Sequence, residues 1–322
     1  MKNKKGITQE EITYLILAII IVVILLLFIS RIDFTRTLDQ QICHFSVLAK
    51  GVFSQGTFGK ISQNTIPNAC KTEKICITRD GSCEVLKKPI IEKVGSVEQI
   101  YSVLGENMVD CWWLFGEGKI NYVETDMTNS KLYCSLCNEV YFDDSTYSLV
   151  NKDKPDLDRI KFYEYLEHKN YSKTQTYSQY LKLPTSKELQ DIADTTFKIN
   201  ERDVGSLPKE SYLPKIDLTK VHYILTGEYD NIDRSSWRLI GGGVGLIGAI
   251  ALTAGSAVLS PVVLIIYASF TAIGVGIGEG GSRIVASLVK GESGHDYVST
   301  TLVEANSDNL NSLRCQTITT LS

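Results

Sequence analysis

Apolar residues in this chain are gathered into two uncharged blocks. Nineteen residues from Ile12 to Ser30 carry no charge, and forty from Leu239 to Gly278 carry none. The first block is long enough to cross about 30 Å of hydrocarbon as a helix, in which the backbone satisfies its own hydrogen bonds. Lys2, Lys4 and Lys5 precede it and Arg31 and Asp33 follow it, so the positive-inside rule places the tail before it in the cytoplasm and the chain after it outside. It exceeds a secretory h-region and lacks a small-x-small cleavage site, which predicts an uncleaved anchor. Ile32, Leu38, Ile42, Phe45 and Leu48 recur at near-helical spacing and extend the predicted helix to about Lys50.

The second block would measure about 60 Å as one helix, twice the hydrocarbon core, so it is expected to fold back. Ser260-Pro261 is the expected turn between spans at 239–259 and 262–278. Gly241/Gly245 and Gly274/Gly278 have the small-xxx-small spacing that lets helix backbones approach in lipid. A transmembrane or re-entrant hairpin returns the tail to the side of the central domain. Gly243-Val-Gly245-Leu-Ile-Gly248 fits a dinucleotide fingerprint only by accident, because it follows no strand and no acidic residue stands about 20 positions on.

The stretch between the blocks reads as a folded head. Val97, Ile100, Tyr101 and Leu104 share one helical face, and a second short helix is expected around Glu106–Trp113. Gly116-Glu-Gly118 predicts a turn and Tyr133–Phe142 a strand. Asp156 or Asp158 can cap a helix running to about His168, followed by Tyr171, Tyr177 and Tyr180. This concentration of tyrosine suits a half-buried helix pair or a peptide- or glycan-binding surface. Strand-like stretches at 195–200 and 221–226 are expected to pair as a hairpin, and Tyr297–Val303 reads as a further strand. Asn170-Tyr171-Ser172 is an N-glycosylation sequon.

The chain has eight cysteines, at Cys43, Cys70, Cys76, Cys83, Cys111, Cys134, Cys137 and Cys315. The topology places all of them outside the membrane, where an even count reads as a disulfide framework whose pairing the sequence leaves open. Cys315, beyond the second apolar block, is expected to bridge to the head. Cys134-Ser-Leu-Cys137 also has the spacing of a redox pair or half a zinc site, but Asn138-Glu-Val-Tyr-Phe142 reads as strand rather than a helix after the motif. The histidines His44, His168, His222 and His295 are scattered, so no metal site is expected.

Net charge is −4 and the isoelectric point about 5.7, which argues against nucleic acid as a partner. The expected fold is a membrane-anchored α+β protein with a long N-terminal transmembrane helix and a small disulfide-rich mixed α/β head. A Gly-rich helical hairpin and a C-terminal tail packed on the head complete it. The domains run 1–11 (cytoplasmic tail), 12–30 (anchor), 31–237 (Cys-rich head), 238–280 (hairpin) and 281–322 (tail).

Lys4-Lys5-Gly6, followed by Ile7 and by Glu11 five residues after the glycine, resembles the class III signal sequence of archaeal type IV pilin-like proteins. That resemblance implies processing between Gly6 and Ile7, with Glu11 pairing to a neighbouring subunit's new amino terminus. Over more of the chain, Val109-Asp-Cys-Trp-Trp-Leu-Phe-Gly-Glu-Gly-Lys119, Tyr133-Cys-Ser-Leu-Cys137 and Phe162-Tyr-Glu-Tyr-Leu166 resemble uncharacterised membrane-anchored proteins of small-genome (DPANN-type) archaea.

No arrangement of residues amounts to an active site, so an enzyme is not expected, nor is a cofactor. The expected role is a membrane-anchored extracytoplasmic structural or interaction protein, such as a pilin-like or cell-surface assembly component. Its expected partners are membrane lipid, other membrane or cell-surface proteins and further copies of itself. A pore-forming or fusion hairpin is the alternative, and a thiol-redox protein using Cys134 and Cys137 comes third.

Overall fold

The computed structural model describes residues 16, 17, 19, 20, 38–54, 69–84, 86–123, 132–191, 215–229, 262–268, 282–290, 295–306 and 315–319. The expected anchor and processing signal (Gly6, Ile7, Glu11) lie outside the described residues, except that Ile16, Leu17, Ile19 and Ile20 are helical and about half exposed. Among the described residues no helix is long and apolar enough to cross a membrane.

The described part is a mixed α/β domain on one sheet. Its strands are β1 (Glu73–Thr78), β2 (Ile90–Lys93), β3 (Leu132–Phe142), β6 (His222–Tyr229), β7 (Val262–Ala268), β8 (Ser282–Lys290), β9 (Asp296–Glu304) and β10 (Cys315–Thr319). β4 (Asp156–Leu157) and β5 (Ile216–Asp217) pair separately as a small antiparallel ladder. The large sheet has the order β2-β1-β3-β6-β9-β8-β7, with β10 also on β3. β1, β2, β3 and β10 run parallel, and the pairs from β3 through β6, β9 and β8 to β7 are antiparallel. β10 pairs with Leu132–Ser135 and β1 with Asn138–Phe142, so tail and head each hold one half of β3.

β3 carries the geometry of the site. Its register to β6 shifts between Leu136 and Asn138, a bulge that leaves Cys137 without an opposing residue. A bulge re-aims a side chain, and here Cys137 bonds to Cys111 of the helix on the sheet.

α1 (Leu38–Ser54), α2 (Val97–Leu114), α3 (Arg159–His168) and α4 (Tyr177–Leu181) complete the domain. α2 packs against β3, β6 and β9 and is in contact with the other three helices. Ser96 caps it by accepting from the Gln99 N–H, and it runs unbroken through the residues expected to start a second helix. Gly105 interrupts nothing. A Cβ there would stand 3.0 Å from Leu166 Cδ2 and 3.4 Å from Tyr177 Cδ1, so the glycine admits α3 and α4. Asp158 caps α3, accepting from Ile160 and Lys161, as expected from its position. Trp112, Ile100, Leu104, Met108, Phe162, Leu166 and Leu181 are buried between helices and sheet.

Two expectations need correction. Val262–Ala268, expected at the start of the second hairpin helix, is a strand in register with β8 from Val262↔Leu288 to Ala268↔Ser282. Four of its seven residues (Val262, Val263, Ile265 and Ile266) are β-branched. Such side chains favour strands wherever a partner supplies the backbone hydrogen bonds. The expected helix-packing glycines Gly241, Gly245, Gly274 and Gly278 lie outside the described residues. The second correction concerns the hairpin expected from 195–200 and 221–226. β6 has β3 on one side and β9 on the other, so both its edges are taken, while 195–200 lies outside the described residues.

Candidate interaction surface

All eight cysteines are paired, as Cys43–Cys70, Cys76–Cys83, Cys111–Cys137 and Cys134–Cys315. Cys134 and Cys137 therefore do not bond to each other. Cys134 lies in the regular ladder before the β3 bulge and Cys137 is the bulged residue, one tied to β10 and the other to α2, so the C-x-x-C here serves two structural bridges. Four disulfides mark the domain as extracytoplasmic, because such bonds persist in oxidising compartments. Among the described residues no group of three or more His, Cys, Asp or Glu is placed to hold a metal ion.

The two adjacent tryptophans divide their roles. Trp112 is buried, and a Cβ on Gly118 would stand 3.2 Å from its Cη2. Trp113 is half-buried and stacks on His44 of α1, ring centroids 3.8 Å apart. Phe45 lies beside His44 at 6.4 Å. Leu38, Ile42 and Phe45 are 74%, 46% and 43% exposed, an apolar stripe on the face of α1 turned away from buried Cys43 and Val47.

The turn after α2 joins this stripe to the tyrosines. Gly116, Glu117 and Gly118 all have positive φ, at 78°, 58° and 71°. Glycine adopts this region without cost, whereas a glutamate held there is strained, a condition that clusters at functional sites. The Glu117 carboxylate accepts from the Tyr180 hydroxyl and the Lys119 ammonium. Burial raises its pKa, but those hydrogen bonds and the positive charge of Lys119 and His44 outweigh burial, so the group is held below the ordinary carboxylate range.

Beyond Glu117 the rings continue. Tyr180 packs on Tyr171 at 4.5 Å, Tyr171 on Tyr177 at 5.9 Å, Tyr177 on Tyr165 at 6.3 Å and Tyr165 on Tyr101 at 5.8 Å. Tyr177 is pushed up to about 12 by burial and by Glu106, and Tyr101 to about 12 by burial and by Asp158. Both stay neutral at physiological pH. The result is a band of aromatic side chains from α1 across the Glu117 turn to α3 and α4, with one carboxylate at its centre. Tyr101 and Tyr177 belong to the core, 6% exposed each, and brace the outer rings. Phe45 and Tyr171 are exposed and Trp113, Tyr165 and Tyr180 half-buried, and these supply the contact area for which tyrosine and tryptophan are enriched at binding surfaces. The tyrosine concentration was visible in the sequence, whereas its continuity with Trp113, His44 and α1 was not.

Two polar features had no sequence signal. Glu228 on β6 is buried, accepts from the Tyr122 N–H at 3.0 Å and pairs with His295 Nδ1 at 3.3 Å. The other His295 ring nitrogen lies 3.1 Å from the Asn121 side-chain amide. These residues come from three distant segments and fasten the start of β9 to the loop after α2. The second feature is an open cleft of 620 Å³ beyond the carboxyl ends of β1 and β3, lined by Arg79, Asp80, Asp144, Ser145, Tyr147, Ser148 and Lys152. Its walls are cross-linked by Arg79 to Ser148 at 2.6 Å and by the Arg79 N–H to Ser145 at 2.9 Å.

Comparison with protein-family models, with curated proteins and with solved structures finds no match to this chain.

Proposed function

We propose that the protein is a membrane-anchored extracytoplasmic interaction protein, a pilin-like or cell-surface assembly component that meets its partner through the aromatic band. The observation that carries this reading is the Cys134–Cys315 bridge, which spans 181 residues and joins the tail to the head. A bridge of that kind requires both segments on the oxidising side of the membrane. That agrees with one cytoplasmic tail, one anchor at 12–30 and everything else outside. The exposed stripe of α1 follows that anchor within eight residues, so on this reading the band lies near the membrane, where other anchored proteins are concentrated.

The test is site-specific photo-crosslinking on intact cells, with the crosslinker at Phe45 or Tyr171 and a control at Ser82. Crosslinks to a discrete surface protein or to a second copy, strong at Phe45 and Tyr171 and weak at Ser82, are the expected result. Equal labelling at all three positions, or a head inaccessible to externally added protease, sinks the proposal. The mass of the mature amino terminus checks the pilin-like resemblance, and a start anywhere but Ile7 removes it.

A further inference from the structure

We infer that Asn170 is an acceptor for N-linked glycan; the inference rests on the extracytoplasmic placement of the head. Asn170-Tyr171-Ser172 is the single N-x-[ST] sequon in the 322 residues. The structure puts it where a transferase can reach it. Asn170 is exposed, as are residues 171–175, on a turn between the end of α3 and the start of α4. The turn is closed by few bonds. The Tyr171 and Ser172 N–H groups donate to the Gln175 carbonyl at 3.0 and 3.1 Å, and the Tyr177 N–H donates to the Lys169 carbonyl at 3.1 Å. No cysteine lies between Cys137 and Cys315, so disulfide formation neither ties down the turn nor competes for it. The Ser172 hydroxyl, the second element a transferase reads, accepts only a 3.4 Å contact from the Thr174 N–H within the turn.

In the transfer, the Asn170 side-chain nitrogen gives up one proton to solvent and forms a bond to the anomeric carbon of a polyprenyl-phosphate-linked sugar. The bond from that carbon to the phosphate oxygen breaks, and the lipid phosphate leaves with the electron pair. No oxidant or reductant is involved. The modification keeps the neutral amide and adds a bulky, solvated group at the surface. That group stands next to Tyr171, which is 37% exposed.

The test is translation of the full chain with endoplasmic-reticulum microsomes, followed by endoglycosidase. The wild type, N170Q, S172A, S172T and the double variant N170Q/D153T are compared. The last removes the natural sequon and creates one at exposed Asn151 in a polar turn, as a topology control. The expected result is one endoglycosidase-sensitive shift in the wild type and S172T, none in N170Q or S172A, and a shift in N170Q/D153T. A shift only in N170Q/D153T overturns the Asn170 inference while leaving the head outside. No shift in any chain overturns both the inference and the placement of the head.

Discussion

His222 shows how one buried side chain makes the fold pH-dependent. It packs edge-on to Phe142, ring centroids 5.8 Å apart, and its Nδ1 lies 3.1 Å from the Lys220 carbonyl. Burial and the nearby Arg159 guanidinium hold its pKa down to about 4, against weaker upward pulls from the Lys220 carbonyl and Asp217. Above about pH 6.5 the imidazole is neutral in the folded and unfolded chains, and its contribution is fully present. As pH falls from 6.5 towards 4 the unfolded chain takes up a proton that the folded one refuses, so stability is lost across that window. The loss across that window is roughly 3 kcal/mol. Urea midpoints at pH 7 and pH 5 are expected to differ less in H222Q than in the wild type. An equal difference in both proteins would show that other groups carry the acid sensitivity. Arg159 itself is buried and donates to the Leu302 carbonyl at 3.3 Å, so the same guanidinium that depresses His222 also seats α3 on β9.

Between elements, close approach matters more than the character of each element alone. α1 meets the loop after α2 at Gly51, where a Cβ would stand 1.8 Å from Ile120 Cγ2 and 3.4 Å from the Asn121 carbonyl oxygen. Alanine gains about 1 kcal/mol in helix propensity over glycine, but overpacking of this kind costs about 1–3 kcal/mol. G51A is therefore expected to lose up to about 2 kcal/mol net, with part recovered in G51A/I120A. A double-mutant cycle on thermal midpoints checks it, and additive losses would show that the two side chains do not collide. The sequence announced α3 well, because Asp158 stands immediately before the apolar pattern and caps it. It announced α2 as two pieces, a helical face from Val97 to Leu104 and a short helix around Glu106–Trp113, with Gly105 between them. What Gly105 does is set by Leu166 and Tyr177, which are 61 and 72 positions away and invisible to local pattern. The strand at Val262–Ala268 was misread for the related reason that an uncharged β-branched run suits either a helix in lipid or a strand beside β8.

For the molecule as a whole, the disulfides rank by the length of chain they close. In the chain-entropy treatment the Cys134–Cys315 bridge, with a separation of 181, is worth about 5 kcal/mol, and Cys76–Cys83, with a separation of 7, about 2.5 kcal/mol. C134S/C315S is expected to lose more stability than C76S/C83S, read from guanidinium midpoints under oxidising conditions. The reverse ranking would mean that β10 and its bridge add little to the folded head. The cysteine count and the apolar blocks stated in advance that the domain would be disulfide-stapled and that Cys315 would reach back to it. Both follow from composition and order along the chain, because an even set of thiols outside a membrane has few stable states besides oxidised pairs. The pairing itself, the split use of Cys134 and Cys137 and the joining of α1, Trp113, Glu117 and the tyrosines into one band came from the fold. What packs beside each cysteine of β3, β10 at Cys134 and α2 at Cys137, decides its disulfide partner, and helix packing decides which rings become neighbours. Those are long-range steric outcomes, and spacing along the chain carries no record of them.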